Sequence, residues 1–258
     1  VNIYNNIFID NNTSLQVNNL FYYGTSNPDG GGEPVNTFPV HIEKNKFIIQ
    51  NSSSTSGTII LLNNGHLGSV VTTKISNNII YVPAVLNNTE RYFDAIKIQN
   101  QNSKKTYIED NTIINPGRSV VMVEDSEPNY NPRNLELSRN FIYNLSPSID
   151  SDDSNSEDLI TVVNQTDGEN IINYNNFKKL SNHYVIVNTT NHPINAENNY
   201  WGTTTTSEID NLIYDFNDDF DLGAVDYDPY LTTPSTDAPI SPPVNVAKQA
   251  SGENVVLT

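Results

Sequence analysis

The feature that most constrains the fold is a short motif that occurs seven times along the chain. Each copy has an apolar residue, two variable residues, an asparagine, any residue, and then a large apolar residue. A repeat separated by a few tens of residues is typical of a solenoid, in which each unit buries its apolar face only by stacking on its neighbours. The asparagines of the seven copies are Asn6, Asn45, Asn78, Asn111, Asn140, Asn175 and Asn199.

A second pattern lies between these copies. It consists of short runs rich in β-branched residues, such as residues 58–62, 119–123 and 183–187, which are bounded by Gly, Asn, Ser or Pro. Such runs are typical of β-strands, and no window has a sustained apolar pattern of helical period. The two patterns together predict an all-β chain, a right-handed parallel β-helix of about seven or more rungs with protruding loops.

The repeated asparagine has two predicted uses in such a stack. At a tight bend between strands, an asparagine tolerates left-handed backbone geometry better than most residues. Asparagine amides that lie one above another can also form hydrogen bonds with each other along the stack. We therefore expect the seven asparagines to take the left-handed conformation and to form a ladder.

These units resemble the parallel β-helix repeats of the pectate-lyase-like superfamily and its surface-protein relatives. The segments Asn198–Gly202 and Asp221–Leu231 resemble the last rung and the C-terminal cap of such proteins. The resemblance implies a β-helix domain with a C-terminal cap over residues 1–234. It indicates the fold and not the activity, because the superfamily includes lyases, hydrolases, epimerases and non-catalytic adhesive domains.

The composition changes after the cap. Residues 235–243 are rich in Pro, Ser and Thr, which predicts a semi-stiff linker. Residues 244–258 resemble the first strands of a fibronectin type III module and stop before the tryptophan that usually follows in that family. We therefore expect a truncated module here and covalently linked neighbouring domains. The alternative for this segment is a tail that returns along the helix.

Charge and composition restrict the partners. The 30 acidic and 13 basic residues give a net charge of −17, so the chain is repelled by nucleic acid and by anionic membranes. The chain has no cysteine, which excludes disulfides and thiolate metal sites. No stretch reaches the ~18 apolar residues of a membrane span, so no membrane insertion is expected. These features, with the resemblance, predict an extracellular or cell-surface location.

Acidic residues crowd into one segment before the cap. Carboxylates are hard oxygen ligands of the kind that Ca²⁺ binds. The predicted metal ligands are Asp215, Asp218, Asp219 and Asp221. The alternative is that these carboxylates accept hydrogen bonds from backbone amides in an irregular turn.

Two of the predicted loops carry aromatic residues beside polar ones. Tyr92 and Phe93 lie in one loop, and Tyr130 lies in another. Aromatic faces next to amides and carboxylates suit sugar rings, so these three residues are the predicted carbohydrate-binding residues. The alternative is that the rings pack onto the coil.

The most lyase-like group of residues is Arg118 and Arg133 with Glu124, Asp125 and Glu127. A lyase of this superfamily uses a basic residue beside acidic residues that hold calcium, but this group matches no catalytic motif. The preferred prediction is a non-catalytic domain that binds polysaccharide, such as a cell-surface glycan, or another surface partner through a loop-lined face. The alternatives are a polysaccharide lyase or glycoside hydrolase, and a structural spacer.

Overall fold

The computed structural model describes fourteen stretches of the chain, and all structural statements below concern these residues. They are residues 2–10, 19–24, 40–49, 56–63, 72–82, 92–99, 105–114, 121–124, 134–144, 160–163, 169–179, 184–240, 248–251 and 254–257. The chain coils so that successive strands join three different parallel sheets in turn. Short β-rich segments arranged in this way form a three-sided solenoid.

Strands are numbered along the chain. Sheet 1 contains β1 (Asn2–Tyr4), β4 (Val40–Glu43), β7 (Thr72–Ser76), β10 (Lys105–Glu109), β13 (Leu135–Ser138), β16 (Asn170–Asn173), β19 (Ile194–Asn195) and β21 (Val225–Asp226). Sheet 2 contains β2 (Ile7–Asp10), β5 (Lys46–Ile49), β8 (Ile79–Tyr81), β11 (Thr112–Ile114), β14 (Phe141–Asn144) and β17 (Asn176–Lys179). Sheet 3 contains β3 (Asn19–Gly24), β6 (Ser56–Asn63), β9 (Tyr92–Gln99), β12 (Val121–Glu124), β15 (Ile160–Val163), β18 (Ile186–Asn188) and β20 (Ile213–Tyr214).

Three elements lie outside these sheets. The described residues include a single short helix, α1 (Thr206–Asp210). The strands β22 (Lys248–Ser251) and β23 (Asn254–Leu257) form a separate antiparallel pair. The predicted all-β parallel β-helix is confirmed. The rung count is only approximate, because the three sheets contain eight, six and seven described strands.

The core is a set of apolar columns that run along the axis. In sheet 1, Ile42 pairs with Ile75, and Ile75 pairs with Ile108; all three side chains are fully buried. Sheet 2 contributes a parallel column of large apolar residues that end the motif, which are Phe47, Ile80, Ile113, Ile142 and Phe177, and Trp201 continues this column beyond the sheet. Burying one such side chain contributes about 1.5–3 kcal/mol, so stacking supplies the stability that a single turn lacks.

The seven asparagines form a hydrogen-bonded ladder at the corner between sheets 1 and 2. The Oδ1 atom of Asn111 accepts the backbone N–H of Asn78 at 2.9 Å and its side-chain Nδ2 at 3.0 Å. The Nδ2 atom of Asn78 also donates to the carbonyl of Ile42 at 2.8 Å. The same paired bonds join every successive ladder asparagine, and those from Asn45 to Asn199 are buried. The predicted ladder is confirmed.

The predicted left-handed conformation of the ladder asparagines is wrong. It belongs instead to the residue before each one, where φ is 53–58°. The chain bends at the residue before the ladder asparagine. The N–H of this corner residue donates to a carbonyl in the next turn of the solenoid, as Lys44 does to Ser76 at 3.1 Å. The seven corner residues are Asn5, Lys44, Asn77, Asp110, Arg139, Tyr174 and Asn198.

The last turns are sealed by aromatic residues and by the segment that follows the cap. The Trp201 ring lies 5.3 Å from that of Phe177 and 6.2 Å from that of Tyr227. Beyond it, the side chain of Asn176 forms two hydrogen bonds with the backbone of Ser235, at 2.7 and 3.0 Å. The first residues of the predicted linker are therefore bonded to the solenoid, while the domain boundaries themselves stay a prediction.

We expect Asn111→Ala to lower the free energy of unfolding by about 2–4 kcal/mol. The substitution leaves the buried N–H groups of Asn78 without their acceptor, and each such group costs about 1–3 kcal/mol. Chemical denaturation measures the loss. Asn191→Ala, at an exposed position, is the control and should change stability by less than about 0.5 kcal/mol. Equal losses in the two variants would contradict a stabilising role for the ladder.

We expect Lys44→Gly to raise stability by up to about 1 kcal/mol, because glycine adopts a positive φ without the steric cost that lysine carries. Lys46→Gly, two residues later in β5, should instead lower stability by about 0.5–1 kcal/mol, since glycine weakens a strand. Thermal unfolding of both variants measures the difference. A destabilised Lys44→Gly variant would show that the corner gains nothing from conformational freedom.

Candidate binding faces

The described residues include only part of the predicted sites. The predicted loop position of Tyr92 and Phe93 is wrong, because both begin strand β9, where they pair with Ser56 and Gly57 of β6. Glu124 ends β12, and the side chains of all three residues lie outside the described part of the structure. The remaining predicted loop residues lie wholly outside it: Arg118, Asp125, Glu127, Tyr130 and Arg133. The loop carbohydrate site and the lyase-like group therefore stay predictions.

The four aspartates predicted to bind calcium lie between β20 and β21. Asp215 is buried, with 2% of its surface exposed. Its Oδ2 accepts the N–H of Val225 at 2.7 Å, and its Oδ1 accepts that of Asn217 at 2.9 Å. Asp218 accepts the N–H of Asp215 at 3.1 Å. These carboxylates thus satisfy the backbone of an irregular turn.

Asp219 is used in a similar way, because its Oδ1 accepts the backbone N–H of Asp221 at 3.1 Å; both residues are exposed. Within the described ranges, no three His, Cys, Asp or Glu side chains are grouped so that they could hold one metal ion. The calcium prediction stays untested, and the hydrogen bonds give the carboxylates of Asp215, Asp218 and Asp219 a structural use.

A polar cavity of about 380 Å³ lies beside this turn, between α1 and the cap. At its wall, the Tyr227 hydroxyl donates a 2.5 Å hydrogen bond to Asp210. Burial and this carboxylate raise the pKa of Tyr227 to about 12. The phenol therefore stays protonated at neutral pH and links α1 to the cap.

The outer face of sheet 1 carries an ion-pair network. Lys74 and Arg139 both bind Glu109, at 2.5 and 2.6 Å, and Arg139 also binds Asp110 at 2.9 Å. Burial alone would raise the pKa of Glu109, but the hydrogen bonds from Lys74 and Arg139 outweigh it and lower that pKa. A carboxyl held in its ionised form is unsuited to act as a general acid at neutral pH.

A second ion pair joins β10 to β13 on the same face. Lys105 binds Glu136 at 2.7 Å, and its ammonium lies 5.0 Å from the centre of the Tyr107 ring. The lysines and the arginine of this face are therefore engaged by neighbouring strands. Such a surface ties the strands of sheet 1 together, and its cations already have partners.

Sheet 2 presents a different surface, which we call the apolar face. It is defined by the described side chains that point outward from sheet 2: Ile7, Lys46, Ile48, Ile79, Tyr81, Thr112, Ile114, Phe141, Tyr143, Asn176 and Lys178. Ile7, Ile79 and Tyr81 are 62%, 39% and 38% exposed. Contiguous exposed apolar side chains of this kind mark interaction sites more often than isolated ones do.

The apolar face is open at one end and closed at the other. Phe141 and Tyr143 also point outward but are only 5% and 8% exposed. Lys178 lies over the Tyr143 ring, with its ammonium 4.9 Å from the ring centre. At the same end, Asn176 is bonded to Ser235. The accessible part of the face therefore centres on Tyr81 and the strands on either side of it.

The sequence analysis did not identify this face. Its signal lies in the residue directly after the ladder asparagine and the residue two further on, which point outward in a strand of period two. In β8 these positions are Ile79 and Tyr81. Apolar residues at both outward positions mean that the strand is apolar on its inner and outer sides, which indicates an exposed apolar surface.

Comparisons with known proteins do not assign this chain to a family. No family model, no curated protein and no solved structure matches this chain. The described residues contain no helix long and apolar enough to span a membrane. The pectate-lyase-like and fibronectin type III resemblances therefore stay unconfirmed, and only the parallel β-solenoid is established.

We expect Glu109→Gln to destabilise the protein at neutral pH by about 1–2 kcal/mol, because charge-assisted hydrogen bonds to Lys74 and Arg139 are lost. The pKa of Glu109 is lowered from its ordinary value of 4.5. Its stabilising effect is therefore complete above that value and disappears as the pH falls through the lowered pKa.

The measurement is the difference in unfolding free energy between the parent and the Glu109→Gln variant, from neutral pH down to the onset of acid unfolding. This difference should shrink as the pH falls. Asp237→Asn, which alters an exposed carboxylate, is the control. A Glu109→Gln difference that grew or stayed constant on acidification would contradict the assigned ion pairs.

Proposed function

We propose that this chain is a non-catalytic β-solenoid domain that binds polysaccharide at an extracellular or cell-surface location. The observation that carries the proposal is the apolar face, where Tyr81 and neighbouring isoleucines are exposed on a rigid sheet. Aromatic and aliphatic side chains on a regular scaffold suit the C–H faces of sugar rings, and little conformational entropy is lost on binding.

The contacts on sheet 1 also favour binding over catalysis. The cations beside Glu109 are held by carboxylates, and Glu109 is held ionised. After β20, the buried Asp215 accepts backbone N–H groups with both oxygens. These carboxylates therefore have structural partners. The lyase or hydrolase alternative depends on Arg118 and Arg133, which lie outside the described residues.

Incubation with a panel of neutral and acidic polysaccharides tests the proposal, with and without calcium. Affinity gels measure retention, and unsaturated-product absorbance and reducing ends measure turnover. We expect retention by at least one polysaccharide without product. Product formation that Arg118→Ala or Arg133→Ala abolishes would make the protein an enzyme. If no polysaccharide is retained and no product forms, the structural spacer becomes the favoured alternative.

A further inference from the structure

The apolar face differs in charge from the chain as a whole. The protein carries a net charge of −17, yet none of the described side chains that define this face is acidic. Its charged members are Lys46 and Lys178, which are both exposed. A locally basic strip on an acidic protein favours an anionic ligand and disfavours a second copy of the same acidic chain.

The size of the face restricts the shape of its occupant. Six strands at about 4.8 Å give a length of about 24 Å, and three consecutive residues of each strand give a width of about 10 Å. The resulting area is far below the ~800 Å² per partner of a stable protein–protein interface. A narrow, extended ligand matches this strip better than a folded protein does.

An extended peptide fits the face less well than a glycan. Peptides join sheets by pairing with the backbone of an edge strand, whereas the strands β5, β8, β11 and β14 are each paired on both sides. The central part of the face therefore offers side chains only. A ligand that binds there must be recognised through apolar contact and charge.

The spacing of the outward side chains matches a polymer that runs along the axis. Tyr81 pairs with Ile48 on one side and with Ile114 on the other, so three partly or fully exposed apolar side chains lie in one row. Neighbouring members of this row are about 4.8 Å apart at the usual strand spacing. One strand step is comparable with the length of one pyranose unit in an extended glycan, so successive rings meet equivalent positions.

We propose that the apolar face is the binding track for a linear anionic polysaccharide that lies parallel to the solenoid axis. Tyr81 and Ile79 contact the apolar faces of the sugar rings. Lys46 and Lys178 pair with carboxylate or sulfate groups of the same polymer. This inference rests on the proposed function, and it names the site and the charge of the ligand.

Retention on affinity gels tests the ligand class. The anionic panel is alginate, hyaluronan, chondroitin sulfate and carboxymethyl cellulose, and hydroxyethyl cellulose is a neutral polymer with the same backbone as the last. We expect retention by an anionic member that weakens as salt rises, because exposed charges are screened. Equal retention by the two cellulose derivatives, independent of salt, would overturn the anionic ligand.

Matched variants test the site. Tyr81→Ala should weaken binding about tenfold, whereas Tyr4→Ala, which removes a similarly exposed tyrosine from sheet 1, should not. Lys178→Glu should also weaken binding about tenfold. Lys97→Glu, in β9 of sheet 3, makes the same change in net charge and should have little effect. Thermal unfolding of each variant verifies that the fold is retained.

Different results would overturn the binding track and the proposed polysaccharide binding. Binding that persists unchanged in Tyr81→Ala and Lys178→Glu would overturn the track while leaving polysaccharide binding in place. If Lys178→Glu and Lys97→Glu weaken binding equally, the effect comes from the net charge of the protein, and the role of Lys178 would be overturned. Absence of binding to every neutral and anionic polymer would overturn both the track and the proposed function.

Discussion

The hydrogen-bonded asparagine ladder is the constraint on which the rest of this structure depends. Each rung joins a buried side-chain oxygen to two donors of the preceding turn, as Asn140 does with Asn111 at 2.9 and 3.0 Å. A slip of one residue would break every such pair and would also exchange the inner and outer faces of each strand. The ladder therefore sets the register that keeps the isoleucine columns inside.

The same register decides what each outer face can do. Along sheet 1 and its corner it brings Lys74, Glu109 and Arg139 from three successive turns within ion-pair distance. On sheet 2 it aligns Tyr81, Ile114 and Tyr143 in one row. One face is occupied by its own charges, whereas the other leaves apolar side chains exposed. The difference between the faces comes from the residue types at equivalent outward positions, since the backbone of the repeat is the same.

The fold could be predicted because its signals are repeated. Seven asparagines in one apolar frame predict stacking, and β-branched runs such as Ile160–Val163 predict the strands of sheet 3. The left-handed corner could not be placed, because residues as different as Lys44, Arg139 and Tyr174 occupy it. The other four corner residues are asparagine or aspartate, which adopt a positive φ more readily than most residues, so residue type marks the corner only in part.

The proposed binding surface was harder to predict than the fold. The loops were the expected place for binding residues, whereas the apolar face that carries the proposal lies on the strands of sheet 2, where Ile79 and Tyr81 are exposed. The aspartates before the cap suggest a metal site by their number and spacing. In the structure, however, both carboxylate oxygens of Asp215 accept backbone N–H groups, from Val225 and Asn217, and composition does not reveal these contacts.

Hydrogen exchange of the ladder side-chain amides, followed by NMR, tests whether the asparagine ladder holds the register of the stack. If it does, the Nδ2 protons of Asn78, Asn111 and Asn140 exchange only when the stack unfolds, orders of magnitude more slowly than those of the exposed Asn191. Exchange of the ladder amides at the rate of Asn191 would contradict it, because the side chains would then be open to solvent and the register would have to be held by other contacts.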